Sequence, residues 1–366
     1  MNLNKSLGYK NLKKNFIKKK KIFIITGKNS FYRTGFGNYY KKNFKYLPTE
    51  LYFKKNKYYP GIEELKVIVK KIKKFQPELI IAIGGGIIID YAKLANVFSV
   101  VKNININSKK IFFPKKKCEL LVIPITAGSG AEVTKFSVLF VRKKKISIES
   151  HHLIPNYFSL IPQLVVKSPI NVRLSSAFDA FAQAIESMFS KYSTKESLRF
   201  SIMSLKYLNN NLLNFIEKPN ILNSTAMLKA AHFSGKAINI SKTNLPHSIS
   251  YFFTSNMKIP HGIAVSIFFK TIIKFYYYKR NFSNKSFKIS ERFDLLFKAL
   301  KLKNFESFLK KIDDIYKKTK LNKYYKKKVI NLNFKRIILS INKDRLQNAP
   351  IDISLKDIKN IILNKF

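Results

Sequence analysis

Hydrophobic and polar positions fall into two textures along this chain. In the first half, short continuous apolar runs alternate with longer stretches whose apolar residues recur at helical spacing. KIFIIT (Lys21–Thr26) is rich in β-branched residues and stops at Gly27, which predicts a buried strand. Residues 63–75 place apolar residues three and four apart with lysines between them, the pattern of an amphipathic helix. LIIAI (Leu79–Ile83) predicts a second strand, closed by Gly84, Gly85 and Gly86. Ile87–Phe98 predicts a helix, and LLVIPI (Leu120–Ile125) a third strand running into the turn TAGSG. Strands and helices in alternation predict a parallel sheet with crossover helices. After about Pro169 the helical patterns lengthen: Leu174–Phe189, Ser197–Phe215 and Phe293–Tyr316 are each expected to be helical. The expected organisation is an α/β domain with a Rossmann-like parallel sheet over 1–167, and an all-helical domain over 168–366.

Composition narrows the function classes. With 366 residues, 46% of them hydrophobic, the chain can bury a full core. No apolar run approaches the roughly 20 residues of a membrane span. Ile22–Ile25 is too short for a signal-peptide core. The single cysteine, Cys118, leaves no internal disulfide framework and suits a reducing compartment, so a cytoplasmic location is expected. The net charge of +50 invites a polyanion partner. Yet the lysines spread along the whole length without a recognisable nucleic-acid module, and Lys, Asn, Ile, Phe and Tyr share A+T-rich codons. The charge therefore reads as compositional drift that still favours small anions by steering.

Two places carry candidate chemistry. IAIGGGIIIDYAK sets three glycines between a strand and a helix, where open backbone N–H groups and the helix dipole suit a pyrophosphate. Asp90 is expected in the first turn of that helix. In the next loop, Thr126, Ser129 and Thr134 offer hydroxyls to phosphate or ribose, and Lys145 is counted with them as a cofactor contact. A tight turn without a ligand is the alternative. In the second half, SSAFDAFAQAIES puts Asp179 and Gln183 on one helix face, with Ser175 or Ser176 as the expected cap. Asp179 lies among Phe178, Ala180 and Phe181, so its carboxylate needs a partner, either a lysine or a metal. His247 and His261, each preceded by a proline, belong to the same domain. One carboxylate with two imidazoles is a usual donor set for divalent iron or zinc.

GGG-x3-D-x-A-K, P-x-T-A-G-S-G-x-E-V-T, D-A-x3-A-I-E-S and P-H-G, in this order, resemble the iron-containing alcohol dehydrogenase family across nearly the whole chain. DAFAQAIES and GKAINISKTNLPHSISYFFTS resemble its phosphonoacetaldehyde reductase branch. The resemblance implies a dehydroquinate synthase-like architecture, with a dinucleotide domain facing a helical metal domain across a cleft. It implies that Asp179, His247 and His261 bind the metal and that Gln183 occupies the fourth position, where many relatives have histidine. Tyr251 stands where many relatives carry a further histidine. Ile87 replaces a serine, Ile125 a threonine, and Ile161 an aspartate.

The expected reaction is reduction of an aldehyde to a primary alcohol, most specifically phosphonoacetaldehyde to 2-hydroxyethylphosphonate. The cation would polarise the carbonyl, a nicotinamide cofactor would supply hydride, and Tyr251 or water a proton. Gly27, Lys28, Asn29 and Ser30 follow the first strand without an acidic residue, which predicts that NADPH is accepted as well as NADH. Lys236, Asn239, Lys242 and Thr243 are the expected phosphonate donors, surface decoration being the alternative for the lysines. A homodimer is compatible with the sequence. Two other readings stay open: an iron- or zinc-dependent alcohol dehydrogenase with another substrate, and a basic binding protein that has lost catalysis.

Overall fold

The computed structural model describes residues 5–6, 21–43, 46–55, 59–102, 115–142, 144–282, 287–321, 334–341 and 343–365. A six-stranded sheet, parallel at every pairing, has the order β1 (Lys5–Ser6), β8 (Tyr157–Phe158), β5 (Glu119–Pro124), β4 (Leu79–Gly84), β2 (Ile22–Thr26) and β3 (Thr49–Phe53). Ile25, Ala82 and Val122 sit in register across the three central strands. Phe23, Ile25, Ile80, Ala82, Leu120 and Val122 face α3 (Ile62–Phe75) and α4 (Gly86–Phe98). The alternate residues Ile22, Ile24, Leu79, Ile81, Leu121 and Ile123 face α1 (Lys28–Arg33), α2 (Phe36–Asn43) and α5 (Pro162–Val166). Both faces are covered, which is why these strands read as continuous apolar runs rather than alternations.

Helix α3 buries Leu65, Ile68, Val69 and Ile72. Glu63 and Glu64 in its first turn and Lys73 and Lys74 in its last complement the helix dipole. The antiparallel hairpin of β6 (Phe136–Val141) and β7 (Lys144–Glu149) was not anticipated from the sequence. β7 (KKISIE) mixes lysine, serine and glutamate with two isoleucines, which hides its pattern, whereas β6 (FSVLFV) has a single serine in an apolar run.

The second half is helical: α6 (Ile170–Met188), α7 (Lys195–Glu217), α8 (Ile221–Ser241), α9 (Leu245–Met257), α10 (His261–Tyr278), α11 (Ile289–Leu300), α12 (Phe305–Lys318), α13 (Phe334–Ser340), α14 (Lys343–Leu346) and α15 (Leu355–Ile362). Phe178 and Phe181 of α6 pack with Phe269 of α10, and Phe178 also meets Tyr316 of α12. The single helix expected over Phe293–Tyr316 is two helices. Lys301 takes a left-handed conformation (φ 55°) to end α11, and Asn304 opens α12 with a reciprocal cap to Ser307. Two compact units result, one of Met1–Pro169 with Asn220–Leu228, the other of Ile170–Pro219 with Lys229–Phe366. Among the described residues, no helix is long and apolar enough to cross a membrane.

Candidate active site

Three helices of the second unit converge on the metal donors. Asp179 comes from the middle of α6, His247 from the first turn of α9, and His261 from the first residue of α10. One donor atom from each lies within 4.8 Å of the others. Asp179 and His247 are buried, and His261 is half-buried. The imidazole rings meet edge to face, with centroids 5.2 Å apart. The partner of the Asp179 carboxylate is thus histidine rather than lysine, with His247 Nε2 3.2 Å from its Oδ1.

The chain brings these donors together by close helix packing. The residue after His261 is Gly262, where a Cβ would stand 1.8 Å from the Ser175 carbonyl oxygen and 3.0 Å from the Asp179 nitrogen. Only glycine lets the start of α10 touch the backbone of α6 beside Asp179. Ser175 and Ser176 are not caps of α6, which begins five residues or more before them at Ile170. Instead the Ser175 hydroxyl accepts the Gly262 N–H at 3.1 Å, capping α10 from the neighbouring helix. Ser176 donates to the Arg173 carbonyl.

Behind His247 stands Glu186, a residue the sequence reading missed. It is 0% exposed and lies two turns along α6 from Asp179, on the same face. One carboxylate oxygen pairs with His247 Nδ1. The other accepts the backbone N–H groups of Asn244 and His247, each at 3.1 Å. A buried carboxylate at the N-terminus of α9 therefore satisfies two open helix donors and fixes the imidazole tautomer. With Nδ1 held by Glu186, Nε2, which bonds Asp179 here, is the nitrogen that a cation would take once it gives up that bond. The spacing Asp179, Gln183, Glu186 along one helix face was the available signal.

Burial alone would raise the Asp179 pKa. The hydrogen bond from His247, the charges of His261 and His247, and Gln183 overcome it and hold the carboxyl below its ordinary range. Burial disfavours charge on His247, but Glu186 and Asp179 outweigh it and raise its pKa. A buried carboxylate faced by two imidazoles is the polar cluster that a divalent cation fits, with one anionic and two neutral donors. Gln183 accepts from the Ser234 hydroxyl at 3.2 Å and hydrogen-bonds Asp179, so its amide orients the ligand carboxylate.

Tyr251 lies one turn after His247, 7% exposed, its ring stacked over His261 with centroids 6.4 Å apart. Burial raises its pKa; Arg345, which hydrogen-bonds it, opposes this, while Glu186 and Asp179 add to it. Thr243 is buried and accepts a hydrogen bond from Arg345. Lys242 closes α8 in a left-handed conformation (φ 64°). Lys236 stands over the Phe200 ring at 5.4 Å, and Asn239 is half-buried on α8.

In the first unit, Gly85 caps α4 without any side-chain hydrogen bond, and the first turn holds no acid. The three glycines differ in role. A Cβ on Gly84 would strike Ile88 at 2.5 Å, so this glycine lets α4 pack on its strand. A Cβ on Gly85 would stand 3.3 Å from Thr126 Oγ1, and one on Gly86 3.3 Å from Ser129 Oγ. The two loops thus face each other, and bare backbone beside two hydroxyls forms a cradle that a phosphate fits.

Asp90 is not in the first turn of α4, which begins at Gly86; it lies one turn further on. There it accepts from the Ser137 hydroxyl at 2.9 Å, and burial pushes its pKa up to about 6 against the opposing charges of Lys93 and Lys145. Thr134 turns inward: its hydroxyl accepts from the fully buried Lys93 amine at 3.0 Å. That amine also donates to the carbonyls of Thr134 and Phe136. Gly27 caps α1, Ser30 bonds back to its carbonyl at 2.9 Å, and Lys28 and Asn29 are exposed.

The sequence model of the iron-containing alcohol dehydrogenase family matches residues 8–162. That of the C-terminal domain of Fe-containing alcohol dehydrogenases matches 173–366. The chain is 30% identical over 254 residues to a 4-hydroxybutyrate dehydrogenase of Clostridium kluyveri, an overlap covering 68% of this chain and 67% of that protein. It is 25% identical over 225 residues to a phosphonoacetaldehyde reductase of Streptomyces viridochromogenes, covering 58% of this chain and 57% of the relative. The overlap with these curated relatives therefore spans only about half to two thirds of their length. An iron-containing alcohol dehydrogenase of Thermococcus thioreducens shares the fold with a TM-score of 0.87 at 20% identity, over 98% of this chain and 97% of that one.

Proposed function

The chain belongs to the iron-containing alcohol dehydrogenase family, and from that premise we propose that it interconverts a small aldehyde and its primary alcohol. The reading uses a divalent cation at Asp179, His247 and His261 and a nicotinamide cofactor at Gly84–Gly86. The observation that carries it is the meeting of a buried carboxylate, a buried imidazole and a half-buried one from three helices. When bound, the cation supplies Lewis acidity to a carbonyl oxygen and the cofactor supplies hydride.

The chain's own residues do the rest. Glu186 anchors His247 at Nδ1, so Nε2, which meets Asp179, is the nitrogen turned to the proposed cation. Gln183 steadies the Asp179 carboxylate. Tyr251 keeps its hydroxyl proton at neutral pH, because burial and the nearby carboxylates disfavour the phenolate. It is the proton source proposed for an oxygen that gains negative charge. In the other unit, the open N–H groups of Gly85 and Gly86, with the Thr126 and Ser129 hydroxyls, are the proposed pyrophosphate donors. Exposed Lys28 and Asn29, with no acid beside them, are proposed to admit a 2′-phosphate, so NADPH serves as well as NADH.

The proposed substrate is phosphonoacetaldehyde, reduced to 2-hydroxyethylphosphonate; the 25% identical reductase and the DAFAQAIES segment support it. A second reading, a hydroxy acid of the 4-hydroxybutyrate kind, has the 30% identical relative in its favour. The single cysteine supports a cytoplasmic compartment for either. The test is NAD(P)H oxidation by metal-reconstituted protein with phosphonoacetaldehyde, succinic semialdehyde and simple alkanals. Oxidation with phosphonoacetaldehyde at the highest kcat/KM supports the substrate assignment. No oxidation with any aldehyde overturns the dehydrogenase reading.

A further inference from the structure

We propose that Arg345 is a specificity-determining residue that receives the oxyanion head of the substrate, a phosphonate or carboxylate near the aldehyde carbon. This deepens the function proposed above and rests on it. Arg345 comes from α14, far along the chain from His247, and nothing in the local sequence marks it. The structure places its guanidinium on two side chains that flank the proposed ligand His247 in sequence: Thr243, whose hydroxyl accepts from it, and Tyr251, with which it hydrogen-bonds. Thr243 and Tyr251 stand four residues before and four residues after His247. Four-residue spacing on a helix puts Tyr251 and His247 on the same face of α9.

The placement is held from both sides. α13 and α14 pack on α9. Next to Arg345, Asn348 donates to the Thr243 carbonyl at 2.9 Å and accepts the Lys191 N–H at 3.0 Å. The guanidinium is therefore carried on a fixed C-terminal segment rather than on a mobile surface chain.

Charge explains why a cation belongs here. Asp179 and Glu186 bring two carboxylates, and both act electrostatically on the Tyr251 hydroxyl, as Arg345 does with opposite sign. A divalent cation balances those carboxylates, and Arg345 leaves a net positive charge beside the phenol. A neutral aldehyde gains nothing from that charge, whereas an aldehyde with an oxyanion does. A guanidinium also offers a planar fork matched to carboxylate and phosphonate oxygens. A purely structural Arg345 would only tie α14 to Thr243, and its loss would affect all substrates alike.

The test compares wild type with Arg345→Met and Arg345→Lys, each loaded with metal. kcat and KM are measured for phosphonoacetaldehyde, succinic semialdehyde, propanal and butanal. Calorimetric titration with 2-hydroxyethylphosphonate gives a readout without turnover. We expect Arg345→Met to raise KM for the anionic aldehydes about 30-fold or more relative to the alkanals, and to weaken phosphonate binding similarly. Arg345→Lys, which keeps charge but loses the fork, should fall between. Equal changes for anionic and neutral aldehydes, with phosphonate binding retained, overturn the role of Arg345 and leave the dehydrogenase reading standing. Should wild type turn over none of the aldehydes, the dehydrogenase reading fails; the calorimetric titration then decides the anion site alone, supporting it if Arg345→Met weakens phosphonate binding and overturning it if not.

Discussion

Replacing Gly262 with alanine should separate the two helices that carry Asp179 and His261. The new Cβ would stand 1.8 Å from the Ser175 carbonyl oxygen, against the roughly 3.3 Å that a carbon and a carbonyl oxygen keep in contact. The shortfall is about 1.5 Å. The obstacle is backbone inside a helix, so no side chain can rotate away, and α10 must shift or tilt relative to α6. Overpacking of this kind costs about 1–3 kcal/mol or more. Metal sites tolerate about 0.2 Å in ligand distance, so a displacement several times larger should remove one ligand from reach. The expected result is a lower Tm and a metal affinity at least about 100-fold weaker, read by competition with a chromophoric chelator. Far-ultraviolet circular dichroism of the metal-free variant checks that the helices persist. An alanine variant with wild-type Tm and metal affinity within about threefold would refute the packing argument.

Two further outcomes follow from the same geometry. Glu186→Gln should weaken metal affinity by about 10- to 100-fold, measured by chelator competition, because the imidazole loses its charged anchor; unchanged affinity would show that Glu186 only caps α9. Asp90→Asn should alter how stability depends on pH. The folded pKa of Asp90, about 6, lies above its ordinary value of 3.8, so the unfolded chain releases this proton first. Its contribution is therefore full below about pH 4 and is lost as pH rises to about 6. Urea unfolding of wild type and Asp90→Asn between pH 4 and 7 should show their stability difference shifting in the variant's favour by roughly 2–3 kcal/mol across that window.

The strands β2, β4 and β5 were legible in the sequence because a parallel sheet covered on both faces writes itself as apolar runs. β3 and β7 were not, since their residues are mixed with charge, and β6 (FSVLFV) was missed although a single serine interrupts its apolar run. The break between α11 and α12 had a local signal in Asn304 and Ser307, overridden by the helical period on either side. Asp179, His247 and His261 stood out through scarcity: few histidines, and a carboxylate set directly among Phe178, Ala180 and Phe181. Glu186 looked like an ordinary helix glutamate until α9 was placed against it. Arg345 reaches Tyr251 only through tertiary packing, which no spacing along the chain reveals. Gly262 is a similar case, since the contact that requires glycine lies on another helix.

The central claim is that three side chains from three helices hold one cation. It is tested most directly by anaerobic titration of Fe(II) or Zn(II) into chelator-treated protein, wild type beside the Asp179→Ala, His247→Ala, His261→Ala triple variant. The account predicts about one tight site per chain in wild type and none in the variant. Equal binding by the two proteins, or no tight site in wild type, would contradict it.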